Sequence, residues 1–273
     1  MFPMKEGLGA YLDRIGFNGP ARCDEDGLAA LHEAHGLVIP FENLDILLGK
    51  GVSLRPEDVF AKLVVSRRGG YCFEQNGLFG AVLAEVGFAV RPLLARVWFG
   101  GVTEPREKTH QLLLVELGGR PWIADVGFGT AGPALPMPME AGRISAQPGR
   151  RYRLAHDETF GFMMERSVAD GPWEKLYSFN LERCWQADFE MGNFYVSKSP
   201  HSPFTSRSVC SRQTPDGWIV LVNHDLIEVK DGQTLRHVVE PGPAYMDMLR
   251  ERFDLDLGMP YEALGLPPAA DAA

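Results

Sequence analysis

The run Arg67-Arg68-Gly69-Gly70-Tyr71-Cys72-Phe73-Glu74-Gln75-Asn76-Gly77 ends one helical pattern, breaks at a double glycine and opens another with a cysteine in its first turn. A thiol there sits at the positive end of the backbone dipole, which favours thiolate over thiol, and two neighbouring guanidinium groups act in the same direction. Cys72 is therefore a candidate nucleophile, and such a nucleophile needs a base from another part of the chain.

Upstream of this stretch the chain reads as helices. Pro56 suits a helix start, and Val59, Phe60, Leu63 and Val64 form an apolar stripe that closes on Ser66, Arg67 and Arg68. Asp24 is placed to cap a helix carrying Leu28, Leu31 and His35 and ending at Gly36. Leu8, Tyr11, Leu12 and Ile15 recur at i, i+3, i+4 and i+7 before Gly16. Past Cys72 the helical period continues through Phe79, Val82, Leu83 and Val86 until Gly87.

Beyond Gly87 the period changes. Residues 88–99 are rich in Val, Leu and aromatics and stop at Gly100-Gly101. Residues 110–117 and 120–126 read as strands flanking Gly118-Gly119, a two-residue hairpin signal. A loop rich in Gly and Pro follows over 127–149, and short strands are expected up to about residue 200, including 152–154, 162–165 and 194–197. The last part suggests strands at 218–222, 226–229 and 235–238, a helix over 244–253 and a frayed tail over 267–273. The expected fold class is α+β: a helical bundle over residues 1–87, a central antiparallel β-barrel over 88–200 and an α/β lid over 201–273.

Composition bounds the partners. With 45% hydrophobic and 23% charged residues over 273, the chain reads as soluble and globular. A formal charge of −9 argues against nucleic acid or anionic membrane as a partner. The apolar run 78–90 is broken by Glu85 and Gly87 and is too short to span a bilayer. Met1-Phe2-Pro3-Met4-Lys5-Glu6 has no basic segment leading into an apolar one, so no targeting signal is expected there. Cys23, Cys72, Cys184 and Cys210 are widely spaced with no C-x-x-C pair, a pattern that suits free thiols in a reducing cytoplasm and gives neither a zinc site nor a disulfide framework.

The hairpin locates a base. If Gly118-Gly119 forms a two-residue turn, Leu117 pairs with Arg120, Leu112 lies opposite Asp125 and His110 lies opposite Gly127. Asp125 is then the diagonal neighbour of His110 on one face of the ribbon, at a range of roughly 7–8 Å that an imidazole and a carboxylate can bridge. A three-residue loop would reverse this parity. The same register puts Leu112, Leu114 and Ile123 on one face and Leu113, Val115, Trp122 and Ala124 on the other. A ribbon apolar on both sides is buried, and a buried Asp125 needs a partner, for which His110 is nearest. From these residues alone two readings stand: base and orienting acid for Cys72, or a structural His–Asp pair with an inert core cysteine elsewhere.

Two patterns are set aside. Gly127-Phe128-Gly129-Thr130-Ala131-Gly132 matches G-x-G-x-x-G after a strand, but Pro133, Pro136 and Pro138 prevent the helix that dinucleotide binding requires. Its glycines are expected to let a backbone turn lie close to a cleft walled by Phe128. His32 and His35 have helical spacing, but His35 fills the apolar stripe, and the remaining histidines show no metal-ligand spacing.

R-G-G-Y-C-F-E-Q-N at 68–76, T-H at 109–110, A-D-V-G-F-G at 124–129 and I-P-F-E-N-L-D at 39–45 together resemble the arylamine N-acetyltransferase family, as do the order Cys, His, Asp and its gaps of 38 and 15 residues. The resemblance covers most of the chain, is strongest over about 37–130 and weakens after 200. It implies the three-part fold above with a triad like that of papain-type enzymes, acetyl-coenzyme A as co-substrate without a metal, and an arylamine, arylhydrazine or arylhydroxylamine acceptor. By the same resemblance Cys72 takes the acetyl group, His110 is the base and Asp125 orients it. Phe41, Phe128 and Phe204 line the acceptor pocket, Gly127 and Gly129 lie on the coenzyme A side, and Glu42 pairs with Arg67 to brace the cysteine loop. The competing reading is a cysteine hydrolase or amide-forming acyltransferase with the same three residues.

Overall fold

The computed structural model describes residues 4–267, so most of the expected frayed tail lies outside the described residues. Helices α1 (Met4–Arg14) and α2 (Glu25–Val38) open the chain, and the Asp24 side chain accepts the Gly27 N–H at 2.8 Å to start the second. That helix runs through Gly36 rather than ending there, since the break comes at Ile39 and Pro40. A two-residue strand β1 (Phe41–Glu42), a helical turn α3 (Leu44–Leu47) and α4 (Pro56–Phe60) follow, the last continuing as a π-helical turn over Ala61–Val65. Helix α5 (Cys72–Val86) buries Leu78, Phe79, Val82 and Leu83 against α1 and α2, each contributing roughly 1.5–3 kcal/mol.

Eight strands build the middle of the chain: β2 (Ala89–Val97), β3 (Lys108–Leu117), β4 (Arg120–Ala124), β5 (Met137–Pro138), β6 (Ile144–Gln147), β7 (Arg150–Asp157), β8 (Gly161–Val168) and β9 (Glu174–Phe179). They pair antiparallel in the order β5-β4-β3-β2-β9-β8-β7-β6, and a bridge from Ala141 to Leu154 of β7 curls the sheet into a barrel-like form. Gly118 and Gly119 both take positive φ, 58° and 73°, as a type I′ turn demands, and Leu117 pairs with Arg120. The two apolar faces of the hairpin therefore serve two cores. Leu113, Val115 and Ala124 pack with the helices, while Leu112, Leu114 and Ile123 join Leu93, Tyr152, Leu154 and Tyr177 inside the barrel-like sheet.

Residues 194–197, expected as a strand, belong instead to helix α6 (Gln186–Lys198). The run Phe194-Tyr195-Val196 mimics a strand, but burial follows Phe189, Asn193 and Val196 at helical spacing while Phe194 stays exposed. The C-terminal strands β10 (Val209–Thr214), β11 (Gly217–Val222), β12 (Asp225–Lys230) and β13 (Gln233–Val238) form a second antiparallel sheet, against which α7 (Pro243–Phe253) buries Tyr245, Leu249 and Phe253. Its edge is completed from the other end of the chain, because Phe41 and Glu42 of β1 pair with Ser211 and Cys210 of β10. No helix among the described residues is long and apolar enough to cross a membrane.

His35 shows how tightly the helical core is satisfied. Its Nδ1 accepts from the Tyr11 hydroxyl at 2.8 Å, and its Nε2 donates to Gln75 Oε1 at 2.6 Å, an assignment that requires the neutral ring. Burial lowers its pKa to about 3 and that of His32 to about 4. Both rings thus take up protons more readily in the unfolded chain, so stability falls as pH drops from about 6.5 toward 4, by about 1.4 kcal/mol per pH unit for each histidine. His35→Gln, whose amide can keep the bond to Gln75 while removing the titrating ring, should make the pH dependence of urea unfolding shallower by about one proton in this window; an unchanged slope would refute the assignment.

Candidate active site

Cys72 opens α5 because Gly69 and Gly70 let the chain pass close beneath it. A Cβ at Gly69 would collide with the Pro40 carbonyl oxygen, and one at Gly70 with the Glu74 side chain. Between them, Gly70 N–H donates to the Pro40 carbonyl and Glu42 N–H to the Gly70 carbonyl, at 3.3 and 3.0 Å. Glu74 Oε2 reaches back to the Tyr71 N–H at 3.0 Å, which fixes the first turn. The Tyr71 hydroxyl hydrogen-bonds Asn193 of α6.

The brace under this loop uses Arg68, not Arg67. Arg68 donates from Nε and Nη2 to Glu42 Oε1, at 3.0 and 2.6 Å, and from Nη2 to Asp45 at 3.1 Å. Arg67 sits at φ 51°, a left-handed break after the π-helical turn that turns its side chain outward to Asp254 at 2.8 Å. Lys62 completes the cluster with contacts of 2.9 Å to Asp45 and 2.8 Å to Glu74. Burial pushes the Glu74 carboxyl up to about 7, with Lys62 pulling against this and Glu42 adding to it.

His110 is the third residue of β3 and Asp125 follows β4, so the hairpin brings them together as its register requires. His110 Nε2 lies 2.8 Å from Asp125 Oδ2. Asp125 Oδ1 accepts from Asn76 Nδ2 at 2.9 Å and from the Gly127 N–H at 3.0 Å. Burial alone would raise the carboxyl, but His110, Asn76 and Gly127 together hold it below its usual range. Burial likewise opposes a charge on His110, and Asp125 and Cys72 override it to raise its pKa, so the ring is an imidazolium at neutral pH. With Nε2 committed to Asp125, Nδ1 is the nitrogen left for the thiol. Cys72 Sγ lies 3.6 Å from the Thr109 carbonyl oxygen.

The aromatic residues form two walls. Phe41 and Phe204 stand 5.8 Å apart in the cluster that contains Cys72, and Phe128 packs 4.8 Å from His110. Gly129 joins the walls, since a Cβ there would touch Ser211 and the Phe41 ring. Gly127 lies on the start of α5, where a Cβ would come within 2.7 Å of the Cys72 Cα. Both glycines thus have a packing role in this structure. No cluster of three or more His, Cys, Asp or Glu side chains able to hold a metal occurs among the described residues.

A sequence model described as N-acetyltransferase matches residues 24–261. An arylamine N-acetyltransferase of Escherichia coli is 37% identical over 96% of this chain and 95% of its own length, and one of Mycolicibacterium smegmatis is 39% identical over 92% of each. The chain belongs to the arylamine N-acetyltransferase family. Among solved structures, the enzyme from Salmonella typhimurium superposes with a TM-score of 0.89 at 34% identity over 94% of this chain and 96% of that one. The Mycobacterium marinum arylamine N-acetyltransferase in complex with CoA gives 0.88 at 35% identity over the same shares.

Three residues of this candidate site escaped sequence reasoning. Asn76 also donates to the Gln111 carbonyl at 2.6 Å and accepts the Val126 N–H at 3.0 Å, clamping the hairpin to α5. Its place one helical turn after Cys72 was a usable signal. His32 accepts the Asp125 N–H at 3.1 Å, and Tyr177 packs 4.9 Å from His110. Neither carries a local signal, since each arrives on a distant element.

The two arginines separate the brace from the surface. Arg68→Ala leaves the fully buried Glu42 with Lys62, 4.0 Å away, as its nearest cation, and should lower stability by about 3 kcal/mol. Arg67→Ala removes a pair whose side chains are about half exposed and should change it by less than about 1 kcal/mol. Equal losses in chemical denaturation would contradict the assignment.

Proposed function

We propose that this protein transfers an acetyl group from acetyl-coenzyme A to the nitrogen of an arylamine or arylhydrazine, or to the oxygen of an arylhydroxylamine, through an acetyl-Cys72 intermediate. The observation that carries this reading is a buried imidazolium, His110, held between Asp125 and the thiol at the start of α5. The helical part (1–87) supplies the nucleophile, the barrel-like sheet (88–200) supplies base and orienting acid, and the C-terminal part (201–273) supplies Phe204. A reducing cytoplasm is the compartment that keeps such a thiol active.

In the first half-reaction Cys72 thiolate attacks the acetyl carbonyl carbon. The tetrahedral oxyanion is stabilised by N–H groups of the first turn of α5, which lack intrahelical acceptors. Collapse breaks the bond to the coenzyme A sulfur, and the departing thiolate takes the proton from His110. One thioester has replaced another, so the acetyl-enzyme is close in energy to the reactants and persists until an amine arrives. In the second half-reaction the amine attacks the same carbon and His110 accepts its proton. Collapse then releases the acetylated amine and restores the thiolate, a ping-pong sequence. Asp125 holds the ring through Nε2 and keeps Nδ1 toward sulfur. Phe41, Phe204 and Phe128 suit a flat aryl acceptor. Gly127 and Gly129 keep the turn low enough for coenzyme A to approach.

Incubation with acetyl-coenzyme A alone should add one acetyl group, found by mass spectrometry on the Cys72 peptide; acetylation elsewhere, or none, would rule out the intermediate. Asp125→Asn should keep the fold, because the amide still fills the site, and slow acetylation by about 10²–10⁴-fold through the wrong ring tautomer. Turnover equal to wild type would remove Asp125 from the mechanism.

A further inference from the structure

A second cavity of about 850 Å³ opens where α2, the β6–β7 turn and the β10–β11 turn meet, and neither Cys72, His110, Asp125 nor the three site phenylalanines line it. Its wall contains Arg150, the first residue of β7, which is only 6% exposed. The guanidinium carbon lies 3.4 Å from the ring centroid of Trp218, which lines the same cavity. Nη1 donates to the Thr130 carbonyl and the Tyr152 hydroxyl, Nε is closed off by the surrounding protein without a partner, and Nη2 makes no hydrogen bond to the described residues. Among the described residues no carboxylate pairs with Arg150, and burial, with Arg166 nearby, lowers its pKa. A buried guanidinium without a counter-charge is costly unless something supplies one.

Arg151, beside it on the wall, also has a buried Nε without a partner. Of the rim acids, Asp170 pairs with Arg151 at 3.1 Å, which leaves Arg150 as the uncompensated cation of the wall, and Asp216 pairs with Lys230 at 3.2 Å. Glu33 and Asp231 remain on the wall and disfavour a multiply charged ligand. Leu37, Leu135, Pro148, Val168 and Pro215 supply apolar surface. A volume in this range accommodates a small organic molecule rather than a bare ion.

We propose that this cavity binds a small organic monoanion, a carboxylate on an apolar body, with the carboxylate on Nη2 of Arg150, the guanidinium nitrogen that neither bonds within the fold nor is closed off by it. Because Nη1 is held by Thr130, the site abuts the 127–132 turn but is separate from the acetyl-transfer cleft.

Calorimetric titration of the full chain with 2-naphthoate, in the presence of saturating coenzyme A, tests this. One naphthoate should bind per chain, and neutral 2-naphthamide should bind more weakly by about tenfold or more, as expected for loss of a charge-assisted contact. Arg150→Gln should weaken naphthoate binding by a similar factor. Val168→Trp, which fills the cavity from its rim and leaves the arginine in place, should abolish binding and decides the matter if Arg150→Gln does not fold. The proposal fails if naphthoate does not bind by about 10 mM, if the amide binds equally, if coenzyme A displaces naphthoate, or if Val168→Trp binds as wild type does.

Discussion

A carboxylate cannot be buried to 2% exposure unless its oxygens are met by donors, and Asp125 is the point at which the parts of this protein converge to meet that demand. His110 comes from the sheet, Asn76 from α5 and Gly127 from the following turn, while the Asp125 backbone N–H is taken by His32 of α2. Withdrawing any one partner leaves a buried polar group unpaired. The same network that holds the helices to the sheet also orients the imidazole, so the geometry of the candidate chemistry is inherited from a packing requirement.

The second constraint is how close the backbone comes beneath Cys72. The chain can pass under the start of α5 only where side chains are absent, which confines that crossing to Gly69 and Gly70. Glu42, Asp45, Glu74, Lys62 and Arg68 then surround the crossing as three carboxylates against two cations. An ionic cluster of this kind is a poor source of net stability but a strong determinant of one arrangement, because every alternative leaves a charge unmet. The π-helical turn places Lys62 in the cluster, and the left-handed Arg67 sends one arginine out and the next one in.

Arg150 presents the opposite case. Glu42, Asp45 and Asp125 have their counter-groups within the fold, whereas the Arg150 guanidinium rests on an indole face and a backbone carbonyl. Cation–π contact offsets part of the burial cost but supplies no formal charge. The contrast marks the cavity between α2 and the two sheets as a different kind of site from the cleft at Cys72.

By itself the sequence determined those features set by spacing within a few turns of chain. Gly118-Gly119 settles the parity of the β3–β4 pairing, which puts His110 beside Asp125, and the double-glycine break settles that Cys72 begins a helix. Both follow from backbone stereochemistry that neighbouring residues control. Only the tertiary structure decided that Arg68 rather than Arg67 meets Glu42, that 186–198 is helical despite its strand-like Phe194-Tyr195-Val196, and that β1 closes the edge of the C-terminal sheet. It also decided that His32 and Tyr177 reach the site and that Arg150 lies buried on Trp218. These outcomes depend on which distant surface each segment is packed against. A local pattern states that a residue is apolar or charged, but the partner that accepts it arrives through space.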